Sequence, residues 1–128
     1  DINKLNNDLK KTNATEADLL NVITFDDFKN IELKTGKVIV VEKVEKADKL
    51  LKLQVQIGGE NRQIISGIAE YYSPEDLLNI MIVVVTNLKP ATIFGNESYG
   101  MLLAAKKGKS LTLVTVDDGN VSSGMDIY

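Results

Sequence analysis

The chain has 128 residues, 44% of them hydrophobic and 26% charged, which suits one globular domain with a short extension. It contains no Cys and no His, which excludes disulfides, thiol chemistry and zinc sites of the usual kind. The formal net charge of −3 runs against the basic balance of a dedicated nucleic-acid binder.

The longest apolar run, residues 80–85, has the length of a strand and falls far short of the ~20 residues of a membrane-spanning helix. The opening Asp1-Ile2-Asn3-Lys4 carries no signal-peptide pattern. We therefore expect a cytoplasmic setting with no membrane partner. A start other than Met leads us to expect a piece of a longer protein.

Residues 1–23 read as a linker or helical extension, and residues 24–128 as the folded domain. Ile2, Leu5 and Leu9 share one side of a possible helix, which Asn3, Asn6 and Asn7 weaken. Thr15-Glu16-Ala17-Asp18 resembles a capping box opening a short helix through Leu19, Leu20 and Val22. Thr24 can cap one turn holding Phe25 and Phe28. From there the pattern is mainly strand. Residues 36–44, rich in Val and Ile, predict the first strand. Leu51, Leu53, Val55 and Ile57 alternate with Lys52, Gln54 and Gln56, the period of a half-buried strand. Gly58-Gly59-Glu60-Asn61 predicts the turn into a hairpin partner at residues 62–66. Ser73 at an N-cap, Pro74 in the first helical position and the acids Glu75 and Asp76 predict a short helix. Residues 80–86 and 101–105 predict buried strands. Residues 111–116 predict a further short strand, ahead of a turn at Asp117-Asp118-Gly119-Asn120. Five strands with one short helix between the third and fourth predict a mainly β, five-stranded Greek-key barrel of the OB type; a generic β-sandwich is the rival.

No catalytic constellation is visible. The usual general base and thiol nucleophile are missing, and no G-x-x-x-x-G-K phosphate loop occurs. Asp117-Asp118 stands beside Gly119-Asn120 and reads as a turn. Gly58-Gly59 and Lys106-Lys107-Gly108-Lys109 read as hairpin turns. We expect no enzyme activity from this chain alone, no cofactor and no metal.

Four blocks stand in order: Ala47-Asp48-Lys49-Leu50, Arg62-Gln63-Ile64-Ile65-Ser66-Gly67-Ile68, Asn87-Leu88-Lys89-Pro90, and Ser98-Tyr99-Gly100-Met101-Leu102-Leu103-Ala104. In order and spacing they resemble the tRNA-binding domain at the C-terminus of many bacterial methionyl-tRNA synthetases. That family also includes free-standing structure-specific tRNA-binding proteins, endothelial-monocyte-activating-polypeptide-like domains and CsaA-type chaperones. The resemblance covers residues 24 to the end. It implies tRNA as partner, a homodimer, and a parent methionine–tRNA ligase whose tRNA affinity this domain raises. The alternatives are a free-standing tRNA-binding protein, a CsaA-type peptide-binding chaperone, or a dimerisation module.

An OB barrel presents one sheet face and its flanking loops to nucleic acid. Lys37, Lys49, Lys52 and Arg62 lie on or beside the first three strands, where they serve as phosphate contacts or keep a β-surface soluble. Ser66 can bond an RNA oxygen or cap its strand. The resemblance makes Asn87, Lys89, Ser98 and Met101 the central tRNA contact. Asn87 can read a base edge or brace a loop, and Met101 can pack on a base or fill the core. Three departures from the family are notable: Lys34 stands where Arg is frequent, Ala91-Thr92-Ile93 where basic residues are frequent, and Tyr99 where an acid is frequent. Tyr99 can stack on a base or cover the barrel mouth.

Overall fold

The computed structural model describes residues 20–128. The expected helix at Ile2, Leu5 and Leu9 and the capping box at Thr15 lie outside the described residues. The described residues fall into two units, one ending at Asn30 and the other Ile31–Tyr128. In the first, helix α1 (Phe25–Lys29) starts as its sequence predicts. The Thr24 side chain accepts from the Asp27 amide at 3.1 Å, and the Asp27 carboxylate accepts from the Thr24 amide at 3.2 Å. The Lys29 ammonium lies 5.2 Å from the centre of the Phe25 ring.

The second unit is mainly β. Strand β1 (Leu33–Val44) is twelve residues long and opens three residues before the predicted start. Its first half pairs with β4 (Met81–Val85), and its second half with β2 (Ala47–Ile57). Strand β3 (Glu60–Ser66) returns from β2 through a two-residue turn at Gly58 and Gly59. β7 (Met101–Leu102) pairs antiparallel with β4, so the main sheet runs β3-β2-β1-β4-β7. The segment before β7 then meets the free edge of β3. The Tyr99 amide donates to the Gln63 carbonyl at 2.8 Å, and the Ile65 amide donates to the Ser98 hydroxyl at 3.0 Å. The sheet thereby curls toward closure.

Gly36 sits at the crossing of β1. A Cβ there would meet Cγ1 of Val55 at 2.6 Å and Cγ2 of Val84 at 3.1 Å. Only a residue without a side chain lets β2 and β4 approach across β1 this closely. The core around it holds Val38, Leu51, Leu53, Val55, Ile64, Ile82 and Val84. The alternation of β2 therefore reads correctly: its four apolar residues are buried, while Lys52, Gln54 and Gln56 face out.

Helix α2 (Pro74–Leu77) lies between β3 and β4, as expected, and delivers Leu77 into the core. The Asp76 carboxylate accepts from the Ser73 hydroxyl at 2.8 Å and from the Ser73 amide at 3.2 Å. These bonds hold the Asp76 carboxyl below the usual aspartate range, the side-chain bond most strongly.

Residues 101–105 depart from the predicted buried strand. Leu102 is buried, but Met101, Ala104 and Ala105 are exposed. The strand breaks at Leu103, whose amide donates to Val83 and whose carbonyl accepts from Val114. Beyond it, β8 (Ala104–Lys107), exposed throughout, leaves the main sheet and pairs with β9 (Ser110–Leu113), which returns Leu113 to the core, turning at Gly108 with φ of 59°. A second ribbon, β5 (Ala91–Ile93) with β6 (Asn96–Ser98), goes beyond the sequence expectation. So does β10 (Asp126–Ile127), which adds a sixth strand beside β1, where five were expected. Thr35 anchors that C-terminal segment. Its hydroxyl donates to the Ser122 carbonyl and accepts from the Met125 amide, while its backbone bonds to Gly124 and Met125. No helix among the described residues is long and apolar enough to cross a membrane.

Gly36→Ala should destabilise the fold by about 1–3 kcal/mol through overpacking, seen as a lower denaturant midpoint; an unchanged midpoint would mean that β2 and β4 give way freely. Asp76→Asn should lower the melting temperature at neutral pH. Because the folded pKa is depressed, the Asp76 contribution is present above the unfolded-state value and is lost as pH falls through the folded one. The gap between wild type and variant should therefore close in acid.

Candidate nucleic-acid interface

The outer face of β1, β2 and β3 is polar because the alternation of β2 leaves it so. Lys37 pairs with Gln56, and Gln56 with Asn61, giving one row across three strands. Gln54 pairs with Gln63 and donates to its side-chain oxygen at 3.1 Å. Lys52 lies between Glu42 and Ile65. Lys49, strongly exposed, makes a loose ion pair of 3.9 Å with Glu70. An exposed pair of this kind contributes little and is readily exchanged for another anion. Ser66 ends β3 opposite Leu51 and is half-buried.

The two later motif blocks meet at one end of this sheet. Arg62 lies opposite Val55, on the core side of β3, with its side chain only 26% exposed. Its Nη1 donates to the carbonyls of Thr86 and Tyr99, the latter at 3.3 Å, and its Nε pairs with the Glu60 carboxylate. One guanidinium therefore joins the segment leading into Asn87 to the segment leading into Met101. The structure places Arg62 as a brace at the end of the sheet where these two blocks meet, on the face opposite the lysines. A planar fork with fixed donors suits that work better than a lysine.

Asn87 follows the braced carbonyl. Its Oδ1 accepts from the Glu32 amide at 2.9 Å, and the Thr86 amide donates to the Glu32 carbonyl at the same distance. Lys89 is exposed beyond it, between Leu88 and Pro90. Met101 lies opposite Val85 and is 47% exposed. Ser98 is buried, and its hydroxyl both accepts from Ile65 and donates to Gly100 at 3.2 Å. That hydroxyl is thus engaged in holding β6 against β3. Asn87, Lys89 and Met101 are carried by the two chain segments that Arg62 joins through the Thr86 and Tyr99 carbonyls, whereas Lys49 lies near the start of β2.

The Arg62 brace and the Ser98 bonds are not legible in the blocks themselves, since sequence reveals a cation or a hydroxyl but not its backbone partners. The register of β3 holds the clue: Arg62 falls in phase with buried Ile64, two residues on. Among the described residues no group of three or more candidate metal ligands occurs.

Residues 33–126 match the family described as "Putative tRNA binding domain". The chain belongs to this tRNA-binding family. It is 50% identical over 120 residues to a methionine–tRNA ligase of Thermotoga maritima, covering 94% of this chain but 19% of the ligase. The chain thus spans under a fifth of the length of that relative. The solved structure of a MetRS-related protein from Pyrococcus horikoshii superposes with a TM-score of 0.79 at 35% identity, covering 84% of this chain and 98% of the other. The chaperone CsaA of Bacillus anthracis superposes with a TM-score of 0.76 at 25% identity, covering 84% and 99%.

Ser98→Ala strips the Ile65 amide of its partner in a buried position. The expected destabilisation is about 1–3 kcal/mol, read by chemical denaturation. A variant as stable as wild type would show that the amide finds another acceptor.

Proposed function

We propose that this chain is the tRNA-binding domain appended to a methionyl-tRNA synthetase, with residues 24–128 as its folded domain and a Greek-key barrel of the OB type as its architecture. It holds tRNA by shape and backbone, and tethering raises the effective concentration of tRNA at the catalytic core. It works as a cytoplasmic homodimer, without a cofactor and without chemistry of its own. The supporting observation is the family match, and the Arg62 bonds that tie together the segments carrying Asn87, Lys89 and Met101 are consistent with it. Lys37, Lys49 and Lys52 supply phosphate contacts, and Ser66 a hydroxyl at the end of β3. Arg62 and Ser98 act by holding the contact loop in place.

Two observations favour other readings. The likeness to the Pyrococcus protein, almost all of which this chain covers, favours a free-standing tRNA-binding protein. The likeness to CsaA, with Leu88, Phe94 and Met101 exposed, favours a peptide-binding chaperone.

Titrating tRNA at two salt concentrations, against a single-stranded RNA control, tests the reading. Lys37→Ala and Lys52→Ala should each weaken binding and flatten the salt dependence by about one unit of slope, because each leaves one phosphate without its cation. Asn87→Ala should weaken binding with little change of slope. If all three variants bind like wild type at unchanged melting temperature, this face is not the tRNA site.

A further inference from the structure

Glu60, Asn61 and Arg62 of β3, with Leu88, Pro90 and Tyr99, line an open cavity of about 460 Å³ at the barrel mouth. That size falls within the roughly 300–1,000 Å³ of small-molecule sites. We propose that this cavity receives one unstacked nucleobase of a bound RNA, stacked on Tyr99 and met at its edge by Asn61 and Glu60. The inference rests on the tRNA-binding reading and names the part of the RNA that enters.

The lining chemistry selects a base over a phosphate. The Arg62 guanidinium is already shared between Glu60 and two carbonyls, so it offers little net positive charge. The Glu60 carboxylate repels a phosphate but accepts from the N–H groups on a base edge. Leu88, Pro90 and the Tyr99 ring, 43% exposed, give flat apolar walls that a charged group would have to desolvate against. A neutral, planar group with N–H donors at its rim satisfies all of them.

The backbone that carries the Tyr99 ring is held in advance. The Tyr99 amide donates to Gln63 at 2.8 Å, and its carbonyl accepts from Arg62. Gly100, with φ of 154°, carries the chain away where a Cβ would press on the Val85 carbonyl at 3.1 Å. A platform fixed before binding gives up little freedom when a base arrives. Asn61 is shared between the cavity and the outer row Lys37–Gln56–Asn61, so a backbone lying along the lysines can turn a base in at that point.

The test uses the intact chain and two readouts. In amide NMR spectra, free nucleosides, which carry no phosphate, should shift Asn61, Arg62, Leu88 and Tyr99. The shifts should vanish in Tyr99→Ala and persist in Tyr99→Phe. In tRNA titrations Tyr99→Ala should weaken affinity roughly 5- to 150-fold, with an unchanged salt slope. Asn61→Ala, on an exposed strand position, serves as a second variant that leaves the loop intact and should weaken both signals. Tyr99→Ala binding tRNA like wild type, with no nucleoside shifts, would overturn the slot while leaving the tRNA reading standing. Nucleoside shifts without any tRNA binding would keep the slot and remove that reading. A short apolar peptide that shifts the same amides where nucleosides do not would overturn the proposal in favour of a peptide groove.

Discussion

The structure of residues 31–128 depends on one strand serving two neighbours. β1 pairs with β4 through its first half and with β2 through its second, and the changeover falls at Lys37, next to Gly36. The two facing strands reach across this point to within van der Waals contact of the missing Cβ. Everything that closes the sheet follows from that crossing. It sets β2 and β3 on one side and β4 and β7 on the other, so that the edge of β3 comes round to the segment before β7. Backbone hydrogen bonding then makes a free edge costly and a closed one favourable.

The net charge of −3 is a poor guide here because so many acids are engaged locally. Glu60 pairs with Arg62, Glu70 with Lys49 and Asp126 with Lys34. Glu32 accepts from the Thr86 hydroxyl, Glu97 from Thr92, and Asp76 from Ser73. These carboxylates brace loops and cap turns. Beyond a Debye length of about 8 Å at physiological salt, their fields are largely screened from a ligand elsewhere on the surface. On the reading proposed above, a phosphate would meet the local row of Lys37, Gln56 and Asn61. A whole-chain sum averages that row with the rest of the surface.

Strands with a strong period are legible in the sequence. The alternation of β2 decides which face is buried, and Ser73-Pro74 marks α2 because capping and proline preferences act within a few residues. Where the sequence reading fails, a distant partner decides. Residues 104–105 look like a continuation of Leu102, yet Leu103 bonds to Val83 and Val114 and turns β8 outward. Thr35 reads as an ordinary strand residue, and only the fold places residues 122–125 around its hydroxyl. The site follows the same pattern. The blocks that carry Asn87, Lys89 and Met101 are tied together by the Arg62 bonds to Thr86 and Tyr99. The side chains that hold them there cannot be told apart from binding residues in the sequence, since a buried Ser and an exposed Ser are the same letter.

That ambiguity has a physical basis. A loop that binds must expose polar groups without giving up its shape, so part of its polar inventory has to satisfy its own backbone. In this mouth the division is clean. Arg62 and Ser98 direct their hydrogen bonds inward, to the carbonyls of Thr86, Tyr99 and Gly100, and Glu32 receives both the amide and the hydroxyl of Thr86. Lys89, Tyr99 and Met101 keep their side chains outward. The inward set fixes the backbone that carries the outward set, and a fixed backbone lets a small number of contacts hold a large, flexible ligand with less ordering of the protein. Charge at this mouth therefore serves geometry first. On the readings proposed above, the lysines of the adjoining sheet are the positive groups left for a polyanion, and the mouth itself is left to a neutral, flat guest.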